Sequence, residues 1–374
     1  GLAALEAGQP SQALERFRAA LTLAPDAAAL RQNAARCELT LGDAELRARR
    51  LDEARAHYRA AGSLLPDDPT PRVREALACL ASQQPAEAEA LLRPVADRAP
   101  TAAVLEVLGR AQLARGDAAS ALRSLERARE RCSADSPQAQ RLDAQLTQAR
   151  REALAARDVG AVDLSATHFE VRYSGVGAAA GSGLGRILED AYERVGQLLG
   201  RYPNRQVPVV VYPAADGLTE ASGAHRWIGG LYDGRIRVTA DALSAPGEAR
   251  RLLAHEYTHA LLHSVGGSKV PAWLQEGLAQ LAEGSSLPAP PRRGQAPTLA
   301  QLSQSFAQAG AAEAARRYAA AAHFVRHLSA RGGMPLLLEV VERIGRGEAP
   351  ADAVEHVYGV SLERLYQGWA ETLR

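Results

Sequence analysis

Two histidines four residues apart, with a glutamate beside the first, are the residues in this chain best suited to chemistry: His255-Glu256-Tyr257-Thr258-His259. On a helix that spacing puts both imidazoles on one face, about 6 Å apart along the axis, a span that one divalent ion bridges. A catalytic zinc takes three protein ligands and keeps a fourth position for water. The ion lowers the pKa of that water toward about 7, and Glu256 can take the proton and pass it to a leaving amine. His263 continues the series but lies about 12 Å along the axis from His255, too far to share the ion. A ligand from a second helix suits a tetrahedral site better. Trp273-Leu274-Gln275-Glu276-Gly277 follows closely. Pro271 opens a helix there, and Glu276 stands in its second turn as the candidate third ligand. Gln280, one turn further on the same face, is a candidate hydrogen-bond partner behind the ligands.

These residues need elements to hold them. Ser244 and Pro246 mark a helix start, Glu248 suits its first turn, and Gly266-Gly267 ends it. Leu252, His255, His259 and Leu262 share one stripe of that helix. Upstream, residues 168–173 alternate like a strand, residues 183–199 have helical spacing, and residues 207–212 form a short apolar strand. Residues 231–238 suggest a strand or a hairpin around Asp233-Gly234. Downstream, residues 285–297 are rich in Pro, Ser and Arg and predict a loop. A helix over residues 312–330 carries Tyr318 on its apolar stripe with Ala322 and Val325. His323 and His327 fall on the opposite side and read as solvated. Hydrolysis of a peptide needs a donor for the developing oxyanion, and Tyr318 is the candidate. Tyr358-Gly359-Val360-Ser361-Leu362 and Trp369 read as helix punctuation and core, without chemistry. Strands, then the histidine helix, then more helices make an α+β domain.

The HEYTH at 255–259 and the AWLQEGLAQ at 272–280 together resemble zinc metallopeptidases of the gluzincin group, in the peptidase MA-like family. The resemblance covers residues 163–374, and its specificity lies in those two motifs. It implies a zincin-like metallopeptidase domain with His255, His259 and Glu276 as zinc ligands and Glu256 as general base. It also implies a sheet edge that binds peptide as an added strand, for which residues 234–239 are the candidate. The interval from His259 to Glu276 is shorter than in thermolysin-like and aminopeptidase relatives, which leaves the substrate class open. No GxMEN-type exopeptidase motif precedes the helix, so an endopeptidase is expected.

Residues 1–157 have a different character, rich in Ala, Leu, Arg and Glu and poor in strand formers. A pattern recurs in them: Ala13-Phe17-Ala20-Pro25, Ala54-Tyr58-Ala61-Pro66, Ala88-Leu92-Val95-Pro100, and Ala121-Leu125-Ala128 without a proline. From Pro66 to Pro100 the step is 34 residues, the tetratricopeptide period. These residues resemble tetratricopeptide repeats. From Pro25 to Pro66 the step is seven longer, which predicts an insertion near residues 42–50. Residues 137–157 read as a capping helix. Stacked repeats of this kind form a curved surface that binds protein or peptide. Cys37, Cys79 and Cys132 lack C-x-x-C spacing and read as small core residues on helices.

The expected architecture is therefore multi-domain: an all-α tetratricopeptide solenoid over 1–157, then an α+β metallopeptidase domain over 163–374. Net charge is +1, so no bulk field points to nucleic acid or an anionic membrane. No stretch approaches the roughly 18 apolar residues of a membrane helix. The chain opens at Gly1 inside a repeat, from which removal of upstream residues is expected. The compartment stays open between a bacterial cell envelope, secretion and the cytoplasm. The functional expectation is a zinc peptidase whose repeats recruit a protein partner or substrate. The alternatives are a repeat scaffold or adaptor with a vestigial zinc-binding domain, and a metallohydrolase of non-peptide bonds.

Overall fold

The computed structural model describes residues 1–155, 164–173, 183–203, 206–222, 230–284, 286–306 and 309–374. The chain divides into two compact units, Gly1–Ala153 and Leu154–Arg374. The expected domain bounds at 157 and 163 fall outside the described residues.

The first unit is helical: α1 (Leu2–Glu6), α2 (Pro10–Leu23), α3 (Ala28–Arg47), α4 (Leu51–Leu64), α5 (Thr70–Ala81), α6 (Pro85–Arg98), α7 (Ala102–Ala114), α8 (Ala118–Arg129) and α9 (Pro137–Ala155). Each of α1 to α7 packs on the next. The prolines of the repeat act through the residue before them. Ala24, Leu65 and Ala99 close α2, α4 and α6 with φ of -139°, -129° and -136°. A pyrrolidine ring disfavours the helical region for its predecessor, so the helix stops there each time.

Within each repeat a small residue on the first helix meets a large one on the second. A Cβ on Gly42 would lie 2.6 Å from the Tyr58 ring, and one on Gly109 would lie 2.7 Å from Leu125. Ala76 and Leu92, both fully buried, hold the same places in the intervening repeat. Small and large residue stand sixteen positions apart in all three repeats, counted from the sequence. The seven extra residues of the second repeat therefore lie ahead of Gly42, not at 42–50 as expected. They are absorbed as about two turns of helix, and α3 runs 20 residues against 12 in α5 and 13 in α7. Extra length is tolerated there because it leaves the Gly42–Tyr58 register intact.

Buried carboxylates tie neighbouring helices together. Glu38 on α3 meets Arg18 of α2 at 2.6 Å and His57 of α4 at 2.7 Å. Glu75 on α5 meets Arg59 of α4 at 2.8 Å. Glu89 on α6 meets Arg115, just past α7, at 2.6 Å and also pairs with Arg93. Buried charges are tolerated only when paired, so these contacts favour one helix-to-helix alignment over others. Cys37 and Cys79 are buried free thiols on α3 and α5, while Cys132 lies in the turn after α8 rather than on a helix.

The second unit holds a five-stranded mixed sheet in the order β1 (Leu164–Ser165), β2 (Phe169–Tyr173), β3 (Val207–Tyr212), β5 (Ile236–Thr239), β4 (Gly230–Tyr232). The β2–β3 and β3–β5 pairs are parallel, and the outer pairs are antiparallel. Its helices are α10 (Leu184–Leu199), α11 (Ala215–Ser222), α12 (Pro246–Gly266), α13 (Ala272–Glu283), α14 (Leu299–Ser303), α15 (Ala311–Gly345), α16 (Pro350–Tyr358) and α17 (Leu362–Glu371). Phe169, Val171, Val209, Val211, Ile236 and Val238 alternate along their strands into one core with Leu188, Val195, Leu253, Tyr257 and Leu261 of α10 and α12.

Three expectations are corrected here. The strand over 234–239 is not an edge: β5 lies between β3 and β4, because the hairpin at Asp233-Gly234 folds β4 onto its outer side. The edge is β4. Ser244 does not cap α12; its hydroxyl donates to the Asp241 carbonyl, and Ala245 precedes Pro246 at the helix start. The helix expected at 312–330 continues to Gly345 across a break at Gly333 (φ 79°, ψ 174°), two residues before Pro335.

Two tests follow for the repeats. In Gly109→Val the added methyls meet Leu125 and the Ala121 carbonyl, and the variant should lose about 1–3 kcal/mol in urea unfolding; an unchanged midpoint would show that α7 and α8 can separate freely. Burial opposes ionisation of Glu89, but Arg115 and Arg93 outweigh it and hold the carboxyl below its ordinary range. Its contribution is then complete above the unfolded-chain value of about 4.3 and is lost as pH falls through the lowered folded value. Glu89→Gln should flatten the acid limb of stability against pH below about 4.3, whereas parallel curves would remove Glu89 from that limb.

Candidate metal centre

α12 and α13 pack against each other and bring the sequence motifs together. Pro246 in the first turn and Gly267 at the end (φ 68°) bound α12, and α13 starts after Pro271. His255 Nε2 and His259 Nε2 each lie 3.4 Å from Glu276 Oε2. Potential ligand atoms of all three residues fall within 4.8 Å of one another. The position of α13 is set from behind by a glycine. A Cβ on Gly277 would lie 2.4 Å from Val325 and 2.7 Å from the Ala321 carbonyl, so α13 can approach α15 this closely only without a side chain there.

The donor set fits zinc. Ligand atoms about 2.0–2.2 Å from a tetrahedral ion stand about 3.3–3.5 Å apart, the spacing seen between Glu276 Oε2 and each imidazole. That oxygen is buried and makes no hydrogen bond; the two imidazoles face it at 3.4 Å, and a cation would offset the rest of its desolvation cost. His263 lies outside the group; its ring stands edge-on to Tyr232 at 5.9 Å.

Glu283 is a residue of the centre that the sequence reading missed. His255 Nδ1 donates to Glu283 Oε1 at 2.8 Å, and Gln280 Nε2 donates to the same oxygen at 2.7 Å. With Nδ1 committed to Glu283, it is Nε2 that faces Glu276 and the centre of the cluster. Gln280 therefore sits one step further out than expected, bracing Glu283 rather than a ligand. The signal was present in the sequence: Glu276, Gln280 and Glu283 at i, i+4 and i+7 share one face of α13.

Glu256 is buried, and its carboxylate reaches the start of β4: a Cβ on Gly230 would lie 3.2 Å from Glu256 Oε1. Burial pushes its carboxyl up from the ordinary range, and the two imidazoles only partly offset this. A base raised toward neutrality is better matched to proton transfer at physiological pH. Burial opposes charge on His255, yet Glu276 and Glu283 hold its imidazole well above its ordinary value. Burial likewise opposes charge on Glu276, and His259 with His255 holds that carboxyl well below its ordinary range. Acceptors thus crowd around the two rings, an environment suited to a cation.

Tyr318 stands beside the cluster. Its ring centroid is 6.4 Å from that of His255, and Phe306 packs edge-on against it at 5.2 Å. Burial and then Glu276 push its hydroxyl well above the ordinary range, so it stays protonated as a donor. His323 is not solvated as expected: it is 8% exposed, its Nε2–H donates to the Pro288 carbonyl at 2.7 Å, and His327 is half-buried. Their side of α15 is covered by the loop before α14 and by the end of the chain, contacts that helical periodicity does not reveal.

Among known families, a tetratricopeptide repeat matches residues 4–46, which run from α1 into α3. No curated protein matches the chain.

His259→Ala should abolish stoichiometric zinc binding, and Glu283→Gln should weaken it about 10- to 100-fold in a competition titration with a chelator. Unchanged affinity in Glu283→Gln would remove that carboxylate from its supporting part.

Proposed function

We propose that residues 163–374 form a zinc-dependent peptidase, suited to peptide chains by its open sheet edge, and that the repeats bring it a protein partner or substrate. The observation that supports this reading is Glu276 Oε2, buried, without a hydrogen bond and equidistant from two imidazoles, with Glu256 alongside. His255, His259 and Glu276 would hold the ion, which supplies Lewis acidity toward a carbonyl oxygen and an activated water. Glu256 accepts the proton from the attacking water and returns it to the leaving amine. Tyr318 donates to the oxygen on which charge develops. An extended substrate segment pairs along β4, the strand that touches Glu256, through backbone hydrogen bonds that are blind to side chains.

The first unit carries a tetratricopeptide repeat, a module of protein–protein interaction. No described helix is long and apolar enough to cross a membrane. The repeat match favours a second reading, in which the chain is a scaffold or adaptor and its zinc-binding domain is vestigial. Metal content and cleavage of an unfolded protein substrate separate the two. Wild type should bind one zinc and cleave, while Glu256→Gln should keep the zinc and lose about 100-fold or more in rate. One zinc per chain with no hydrolysis by wild type would favour the scaffold.

A further inference from the structure

The second unit has a cleft of about 560 Å³ walled by Pro290 and Pro291, by His323, Arg326, His327 and Ala330 of α15, by Trp369 of α17, and by residues 372–374, among them a second arginine, Arg374. It lies on a different face of α15 from the metal cluster, since Tyr318 and His323 point about 140° apart around the helix. We infer that this cleft binds a small monocarboxylate with an apolar body, clamped by the Arg326 guanidinium. The inference does not depend on the peptidase reading.

The argument starts from His323, an imidazole more than nine-tenths buried beside the cleft. Its Nε2–H donates to the Pro288 carbonyl at 2.7 Å, which leaves Nδ1 as an acceptor, and Arg326 Nη2 donates to it at 2.8 Å. Arg326 is thus oriented by a neutral group. It keeps its full charge and four of its five N–H donors. Other arginines of α15 differ: Arg317 is paired with Glu313, and Arg343 with Glu339 at 3.1 Å, each one turn away. One turn from Arg326 in either direction the sequence has Ala322 and Ala330. Burial, and then the charge of Arg331, hold the imidazole of His327 below its ordinary value, leaving a neutral polar group in the wall.

A guanidinium so placed matches a carboxylate in a two-point contact. The two prolines, Ala330 and the Trp369 side chain offer an apolar surface beside it. The wall is built rather than loose: the Arg293 N–H donates to the Arg374 carbonyl at 3.0 Å, and the Tyr366 hydroxyl donates to the Pro297 carbonyl. These bonds tie the loop that carries Pro290 and Pro291 to the end of the chain. The volume falls within the range of small-molecule sites, which are largely preformed.

The probe is N-acetyl-phenylalanine, titrated calorimetrically into the full chain, with its C-terminal amide and inorganic phosphate as comparisons. The carboxylate should bind, and the amide and phosphate should each bind about tenfold more weakly or worse. Arg326→Gln should lose about tenfold for the carboxylate and leave the weak amide binding unchanged. Thermal melts should show wild type and variant both folded at the titration temperature, since Arg326 itself is exposed. Arg326→Lys keeps the charge without the planar fork and should recover only part of the loss. His259→Ala should bind as wild type does, which separates this cleft from the metal centre. The inference is overturned if the carboxylate fails to bind, if amide or phosphate binds equally well, or if Arg326→Gln leaves the affinity unchanged.

Discussion

The candidate centre depends on one contact, the carboxylate of Glu276 held between two imidazoles of another helix. A carboxylate taken out of water is unfavourable unless cations or donors replace the lost hydration. Here the replacements are His255 and His259, and one carboxylate oxygen still lacks a hydrogen bond. Everything around the contact keeps it in place. Gly277 lets α13 sit against α15, Glu283 fixes the ring of His255, and Gly230 leaves room for Glu256 beside the edge strand. Each of these residues acts through position rather than chemistry.

The first unit solves a related problem with different means. Its helices are short and rich in alanine, so little apolar surface is available per repeat. Register is then set by size, with Gly42 opposite Tyr58 and Gly109 opposite Leu125. Buried glutamates add a second layer of selection, because a slipped helix would leave Glu38, Glu75 or Glu89 without its arginine. Seven extra residues are accommodated because they extend α3 at the end where no such pairing is disturbed.

The arginines of α15 illustrate how the same residue type takes different parts. Where a glutamate stands one turn away, the guanidinium is neutralised on the helix itself. Where alanine stands there instead, as around Arg326, the charge is left to the cleft and is oriented by a buried histidine. Spacing along the helix decides which of these occurs, and tertiary contacts decide what the uncompensated charge faces.

The sequence by itself determined the local features. The His255–His259 spacing, the start at Pro246, the stop at Gly267, the hairpin at Asp233-Gly234 and the helix ends before Pro25, Pro66 and Pro100 all follow from short-range geometry. Helix rise also separates His263 from His255, and the structure brings Glu276, not His263, beside the two imidazoles. Tertiary structure decided what lies between elements. Which strand forms the edge depended on β3 and β4 both pairing with β5. That Glu283 supports His255 depended on the crossing of α12 and α13, and that His323 is buried depended on a loop thirty-five residues away. Local patterns fix backbone conformation within a few residues, whereas burial and pairing depend on distant segments whose approach no single stretch of sequence encodes.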